Sequence, residues 1–271
     1  MDALHAIVLG IVQGATELLP VSSTGHVRIV PAFLGWEDPG AAFTAVTQLG
    51  TMSAILLYFR QDLWNIASAW LRSLRDPSLR GTLDVRLGWF IIVGTIPVSV
   101  FGLAFSTTIE DGARNLYLIA TVLIVLGLVL LLAERVGKRE RSLEDLTLRD
   151  GILIGFAQAL ALIPGVSRSG ATITMGLFLN LDRPTAARYS FLLSVPAVVL
   201  SGLFEMRHIS DGDGAGFGPT LLATVLAFAV GYATIGFLLR WISTHSFGIF
   251  VAYRVAIGSL VLVLVSAGAI S

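Results

Sequence analysis

Six stretches of the chain approach the roughly 20 consecutive apolar residues that a helix needs to cross a bilayer. Runs 87–106, 116–133, 219–239 and 248–270 are clean, while 41–59 and 185–204 each carry several polar residues. Two further apolar regions, 3–33 and 151–179, are broken near the middle by a polar knot containing Pro and Gly. Each half is too short to cross alone, and irregular backbone at membrane depth is tolerated only where protein or a cavity covers it. Both regions are therefore expected to be re-entrant helical hairpins. The expected fold class is all-α integral membrane, with two re-entrant hairpins and about six transmembrane helices.

The broken regions resemble each other. Gly10-x-x-Gln13 through Pro20 and Ser22-Ser23-Thr24-Gly25 matches Gly155-x-x-Gln158 through Pro164 and Ser167-Arg168-Ser169-Gly170. An offset of 145 then pairs Gly25 with Gly170, Phe33 with Phe178 and Leu34 with Leu179. Each knot precedes three spans. An odd number of crossings per half turns the second half upside down, so an inverted-topology repeat is expected, with its site near the midplane. The chain 1–271 then forms a single membrane domain: repeat one 1–135, a cytoplasmic loop 136–149 and repeat two 150–271.

Composition agrees: 55% of the 271 residues are hydrophobic and 13% charged, and the mean hydropathy is +0.83. A soluble domain carries about 25% charged residues. Net charge is zero, which argues against nucleic acid as a partner. The absence of cysteine excludes disulfides, thiolate nucleophiles and iron–sulfur clusters, and Lys138, the only lysine, lies in no Gly-Lys-Ser/Thr phosphate loop. Asp2 and His5 replace the basic flank of a secretory signal, so residues 3–19 read as mature structure. Arginines crowd 60–86 and 135–149, and Arg183, Arg188, Arg240 and Arg254 fall on the same side. The other side offers Arg114 and Arg207 among Glu110, Asp111, Glu205, Asp211 and Asp213. The positive-inside rule then puts both termini outside the cytoplasm. Segment 62–74, with Trp64 and Trp70, reads as an amphipathic interfacial helix. Segments 135–150 and 207–218 read as plain solvated loops.

Ionisable groups at bilayer depth cost about 2.5–3.5 kcal/mol each on insertion scales and default to function. Here they are Glu17 and His26 in the first knot and Arg168 in the second, surrounded by Gln13, Thr16, Ser22, Ser23, Thr24, Ser167, Ser169, Thr172 and Thr174. Gln13 and Glu17, four apart, share a helix face. Ser23 and His26, three apart, can meet as nucleophile and base with a carboxylate nearby. The Ser167-Arg168-Ser169-Gly170 run precedes a helix start, whose free N–H groups suit an anion, and Arg168 adds a planar fork for phosphate. Such parts serve phosphoryl transfer, which needs mainly positioning and charge neutralisation. Thr44, Thr47, Ser53 and Thr234 read as packing hydroxyls. His5, His208 and His245 read as interfacial. Arg254 reads either as a snorkelling residue or as part of the site.

The run from Gln13 to His26 (Gln13-Gly14-Ala15-Thr16-Glu17-Leu18-Leu19-Pro20-Val21-Ser22-Ser23-Thr24-Gly25-His26) resembles the first signature of the undecaprenyl-diphosphate phosphatase, or bacitracin-resistance, family. Pro164-Gly165-Val166-Ser167-Arg168-Ser169-Gly170-Ala171-Thr172 resembles its second. The resemblance implies hydrolysis of undecaprenyl diphosphate to the monophosphate carrier in the bacterial cell membrane, with that polyprenyl lipid and membrane lipids as partners; a homo-oligomer stays open. It implies catalytic roles for Glu17, Ser23, His26 and Arg168, with either Ser23 or His26 attacking. It implies substrate contacts from Gln13, Ser22, Thr24, Ser167, Ser169, Gly170 and Thr172, and a divalent cation, Mg or Ca, at Glu17. Gln13 stands where many members carry Glu, which removes one charged ligand from a two-carboxylate site. The alternative reading is a polyprenyl-phosphate flippase, since broken helices in inverted repeats also build transporters.

Overall fold

The structure, a computed structural model, describes residues 1–105, 115–205 and 216–270. Residues 206–215 and 106–114, with most of the charges expected on the arginine-poor side, lie outside the described residues, as does His208. The described helices are α1 (Ala3–Glu17), α2 (Ser23–Leu34), α3 (Gly40–Tyr58), α4 (Arg60–Ser73), α5 (Leu83–Ala104), α6 (Leu116–Val136), α7 (Leu148–Ala159), α8 (Arg168–Phe178), α9 (Arg183–Glu205), α10 (Phe217–Thr244) and α11 (Gly248–Ser266). Among the described residues the nearest thing to a strand is an isolated bridge between Arg141 and Leu181.

Helices α5, α6, α10 and α11 are each long and apolar enough to cross a membrane, and α3 joins them if taken with α4, from which it bends by 77°. The chain is thus a multi-pass helical membrane protein with four to five such spans among the described residues, fewer than the six expected. The difference falls on α9: it carries Arg183 and Arg188 in its first two turns, and its buried Ser190 and Ser194 lower its apolar content. Exposed Leu103, Leu132, Phe217 and Val263 form the outer surface of the spans, as lipid contact requires.

The bend after α3 lays out α4 as the expected amphipathic helix. Trp64 is exposed on one side, whereas Ile66 is buried and Trp70 packs on Gly88 and meets Trp89 edge-on at 5.4 Å.

The short limbs α1 and α7 are held by unusually close helix crossings. A Cβ on Gly10 would lie 2.6 Å from the Ala223 carbonyl oxygen of α10, and one on Gly155 would lie 2.4 Å from that of Gly94 in α5. Small residues let backbones approach where lipid offers no hydrophobic drive between helices. The two glycines hold matching places in the two broken motifs, one bringing α1 onto α10 and the other α7 onto α5.

Segment 135–150 is not the plain loop expected. Arg141 donates to the Asp150 carboxylate at 2.6 Å and to the Leu179 carbonyl at 2.9 Å. Its backbone also exchanges hydrogen bonds with Asn180 and Asp182, and Leu146 is fully buried. Thr147 and Asp150 form a reciprocal capping box that starts α7. Arg141 and Asp150 thus tie the segment to the fold, while Arg135, Lys138, Glu140, Glu144 and Arg149 are exposed.

Candidate active site

The two knots share one backbone device. Helix α1 ends at Glu17, and after a short turn Ser22, at φ 74° and ψ 94°, caps α2, its hydroxyl accepting from Gly25 N at 3.4 Å. The second limb ends in a 3-10 turn, Leu160–Leu162, and Ser167, at φ 72° and ψ 112°, caps α8, accepting from Gly170 N at 3.1 Å. A left-handed φ in a non-glycine residue is strained by about 1–3 kcal/mol and persists where surrounding structure enforces it. Gly170 has no Cβ for a stated reason: one there would crowd the Arg254 guanidinium at 3.0 Å and the Ser167 side chain.

Glu17 is the centre of the cluster and is 6% exposed. Its Oε1 accepts from Arg168 Nη2 at 2.7 Å, an ion pair between residues 151 apart in sequence. Its Oε2 accepts from Gln13 Nε2 at 2.9 Å, as the four-residue spacing predicts, and from the Ser23 hydroxyl. Arg168 Nη1 also donates to the Ser194 carbonyl at 3.3 Å, and Ser169 Oγ donates to the Leu19 carbonyl at 3.0 Å. The second knot is thus bonded to the first through both a side-chain pair and a backbone contact.

The pairing of hydroxyl and imidazole differs from expectation. Ser23 donates to Glu17 and not to His26. His26 Nδ1 instead donates to the Ser22 carbonyl at 2.7 Å, and its Nε2 lies 2.7 Å from the Tyr253 hydroxyl. The reason is local: helical spacing brings Ser23 and His26 to one side of α2, but the turn before α2 folds Glu17 back over Ser23. Ser22 and Ser167 act as helix caps and Thr24 lies beside Ser22, Oγ to Oγ 3.4 Å. Thr172 gives its hydroxyl to Arg168 O and contacts Ser190 Oγ at 2.6 Å, so it braces α8 against α9. Thr44, Thr47, Ser53 and Thr234 bond to backbone carbonyls of their own helices, His5 stacks near Trp36, and His245 stacks on Trp241.

Helix α11 supplies two members that the motifs did not place. Arg254 is fully buried and has no carboxylate partner among the described residues. It donates to Pro20 O at 3.1 Å in the first knot, to Gly165 O and Val166 O at 3.2 Å in the second, and to Leu123 O at 3.0 Å in α6. Of the two readings left open, snorkelling is excluded. An intramembrane arginine without an acidic neighbour was a signal for this; Tyr253 carried none.

Among the described residues no group of three or more His, Asp or Glu could hold a metal by itself. The donors that fit a divalent cation are Glu17 and Gln13 Oε1, which is buried without a partner. Hard cations are held by one or two carboxylates together with substrate phosphates, and this pair offers that much. Two surface grooves, about 680 Å³ and 450 Å³, run along α10 past Tyr58, Phe237, Arg240 and Trp241, and touch none of Glu17, Ser23, His26 or Arg168.

Comparison with known proteins agrees with the motifs. The family model described as bacitracin resistance protein BacA matches residues 6–260. An undecaprenyl-diphosphatase of Nocardioides sp. is 55% identical, covering 100% of this chain and 99% of the relative. Undecaprenyl-diphosphatase 2 of Streptomyces coelicolor is 51% identical over 100% and 97%, and the undecaprenyl-diphosphatase of Thermobifida fusca 52% over 100% and 93%. With both signatures seated on one ion-paired cluster and the match running nearly end to end, the chain belongs to the bacitracin resistance protein BacA family.

Proposed function

We propose that the chain hydrolyses undecaprenyl diphosphate to undecaprenyl phosphate and inorganic phosphate, recycling the lipid carrier of cell-envelope synthesis. One observation carries the reading: the Arg168–Glu17 pair joins two serine-capped helix starts, so cation, carboxylate, hydroxyl and free helix N–H groups converge on one point. That set neutralises phosphate oxygens and activates a hydroxyl, which is what phosphoryl transfer asks of a protein.

In this reading the diphosphate lies over the α2 and α8 helix starts, with its terminal phosphate against Arg168. Ser23 Oγ attacks the terminal phosphorus as its proton passes to Glu17 Oε2. The Oγ–P bond forms, the bridging P–O bond breaks, and the lipid monophosphate leaves. Water then attacks the phosphoserine; the water O–P bond forms, the Oγ–P bond breaks, and Glu17 returns its proton to Ser23. A divalent cation, when bound by Glu17 and Gln13 Oε1, supplies further charge neutralisation on the phosphates.

The wider architecture supports an inverted repeat: matching left-handed serine caps stand 145 residues apart, Ser22 and Ser167, and each limb packs on a span of the other half. The arginine count supports termini outside the cytoplasm. A flippase is the competing activity. Phosphate release from undecaprenyl diphosphate by purified protein, with and without chelator, tests the reading. Transport of the lipid without phosphate release refutes it.

A further inference from the structure

We infer that the Tyr253 hydroxyl sets the hydrogen-bonding state of His26 and, together with it, takes up the proton set free by hydrolysis. The inference rests on the diphosphatase reading. His26 Nδ1 lies 2.7 Å from the Ser22 carbonyl oxygen, and a carbonyl only accepts, so Nδ1 bears the hydrogen. The neutral ring then has its lone pair at Nε2, 2.7 Å from the Tyr253 hydroxyl, which donates. The two rings stack, 13° from parallel with centroids 5.5 Å apart. His26 is 4% exposed while Tyr253 is 44% exposed. The line Ser22–His26–Tyr253 therefore runs from the first knot's cap to the hydroxyl of half-exposed Tyr253.

The reaction gives that line something to do. Above the second ionisations of both the lipid monophosphate, at about pH 6, and inorganic phosphate, which is less acidic than its esters, a diphosphate trianion and water become a monophosphate dianion, a hydrogen phosphate dianion and one proton. Ser23 and Glu17 return to their starting states each cycle, so the extra proton must leave. Arg168, partly buried, and Arg254, fully buried, carry only donors and offer no acceptor. His26 Nε2 does: the Tyr253 hydroxyl hands its hydrogen to Nε2 while taking up the one released by the attacking water. The reverse transfer passes it to the water that replaces the departing phosphate. Sequence neighbours on α11 thus divide the work, Arg254 holding the knots and Tyr253 serving His26.

The test is a double-mutant cycle on the full-length purified protein. Tyr253→Phe keeps the stacked ring and removes only the hydroxyl. General acid–base steps are worth about 10²–10⁴ in rate, so the expected loss is at least about tenfold in kcat, with KM within about twofold. Since the Tyr253 hydroxyl and His26 Nε2 act as one relay, the His26→Ala/Tyr253→Phe double variant should be no slower than His26→Ala alone. Losses that multiply, a Tyr253→Phe enzyme with normal kcat, or a His26→Ala enzyme with normal kcat each overturn the inference. Nitrogen NMR of the His26 ring reads the same contact without turnover: the Nε2 resonance should move in Tyr253→Phe, and an unmoved resonance refutes the pairing. If the Phe variant melts early, fluorotyrosine at 253 retains the ring and alters only hydroxyl acidity, and kcat should follow that acidity; a flat response overturns the relay. A wild-type protein that releases no phosphate sinks the diphosphatase reading, while the NMR result still decides whether Tyr253 sets the His26 ring.

Discussion

Replacing Arg254 by methionine keeps an unbranched apolar stem but removes every donor the side chain carries. The guanidinium reaches the carbonyls of Pro20, Val122, Leu123, Gly165 and Val166. Those of Val122 and Leu123 lie within α6 and keep their helix amides. Pro20 O, Gly165 O and Val166 O lie in the broken turns and accept no backbone N–H among the described residues. A buried group left unsatisfied costs about 1–3 kcal/mol, so three such carbonyls cost roughly 3–9 kcal/mol. Against this, the variant no longer buries a cation without a counter-ion, a relief of several kcal/mol. The two terms leave a net destabilisation of about 3 kcal/mol, enough to lower the melting temperature without unfolding the protein. Activity should suffer more. Arg254 bonds both knots and α6 together, and a 1 Å misplacement of reacting groups costs about 10²-fold. Arg254→Lys keeps the charge but has three donors at one point and cannot span five carbonyls, so it should fall between. The assays are phosphate release under saturating substrate and a thermal melt in the same detergent. A methionine variant with wild-type turnover and melting temperature would refute the reasoning.

At Arg168, lysine should be nearly as damaging as alanine, about 10²–10³ in rate, because its fork joins the Glu17 carboxylate to the Ser194 carbonyl; near-normal turnover in Arg168→Lys reduces it to a counter-charge. Ser23→Ala should remove nearly all activity, and mass spectrometry should find a phosphoryl group on Ser23 of the wild-type enzyme quenched during turnover; a tenth of normal turnover in the variant ends the serine-nucleophile reading. A cysteine placed at Glu144, in an otherwise cysteine-free chain, should resist an impermeant external thiol reagent in whole cells, and modification there reverses the orientation. Burial pushes the Asp150 carboxyl up, but hydrogen bonds from Arg141 and Thr147 outweigh it and hold the group below the usual range. Its stabilising contribution is therefore present above the unfolded value of about 3.9 and lost as pH falls through the folded one. Asp150→Asn should accordingly melt below wild type at neutral pH, with the gap closing under acid; a gap independent of pH assigns the effect to packing.

Hydrophobic runs, their two interruptions and the cost of placing Glu17, His26 and Arg168 in an apolar setting are properties of the chain itself. They were enough to mark the helical membrane fold, the two knots and the meeting of Glu17 with Arg168, because apolar length and charge burial are constraints that act on each segment separately. The order of Gln13 and Glu17 on one helix face was legible for the same reason. Tertiary structure decided the rest. Whether Ser23 turns to Glu17 or to His26 depends on how residues 18–22 fold back over α2, and spacing along a helix does not report that. Tyr253 and Arg254 enter the site because α11 packs on α6 beside both knots, a contact set by crossing geometry over more than a hundred residues of separation. Loop 135–150 is pinned because Arg141 finds Asp150 and Leu179 within reach. Hydrogen bonds form between groups brought within about 3 Å of one another, and it is the packed helices, not the order of residues along them, that bring these groups so close.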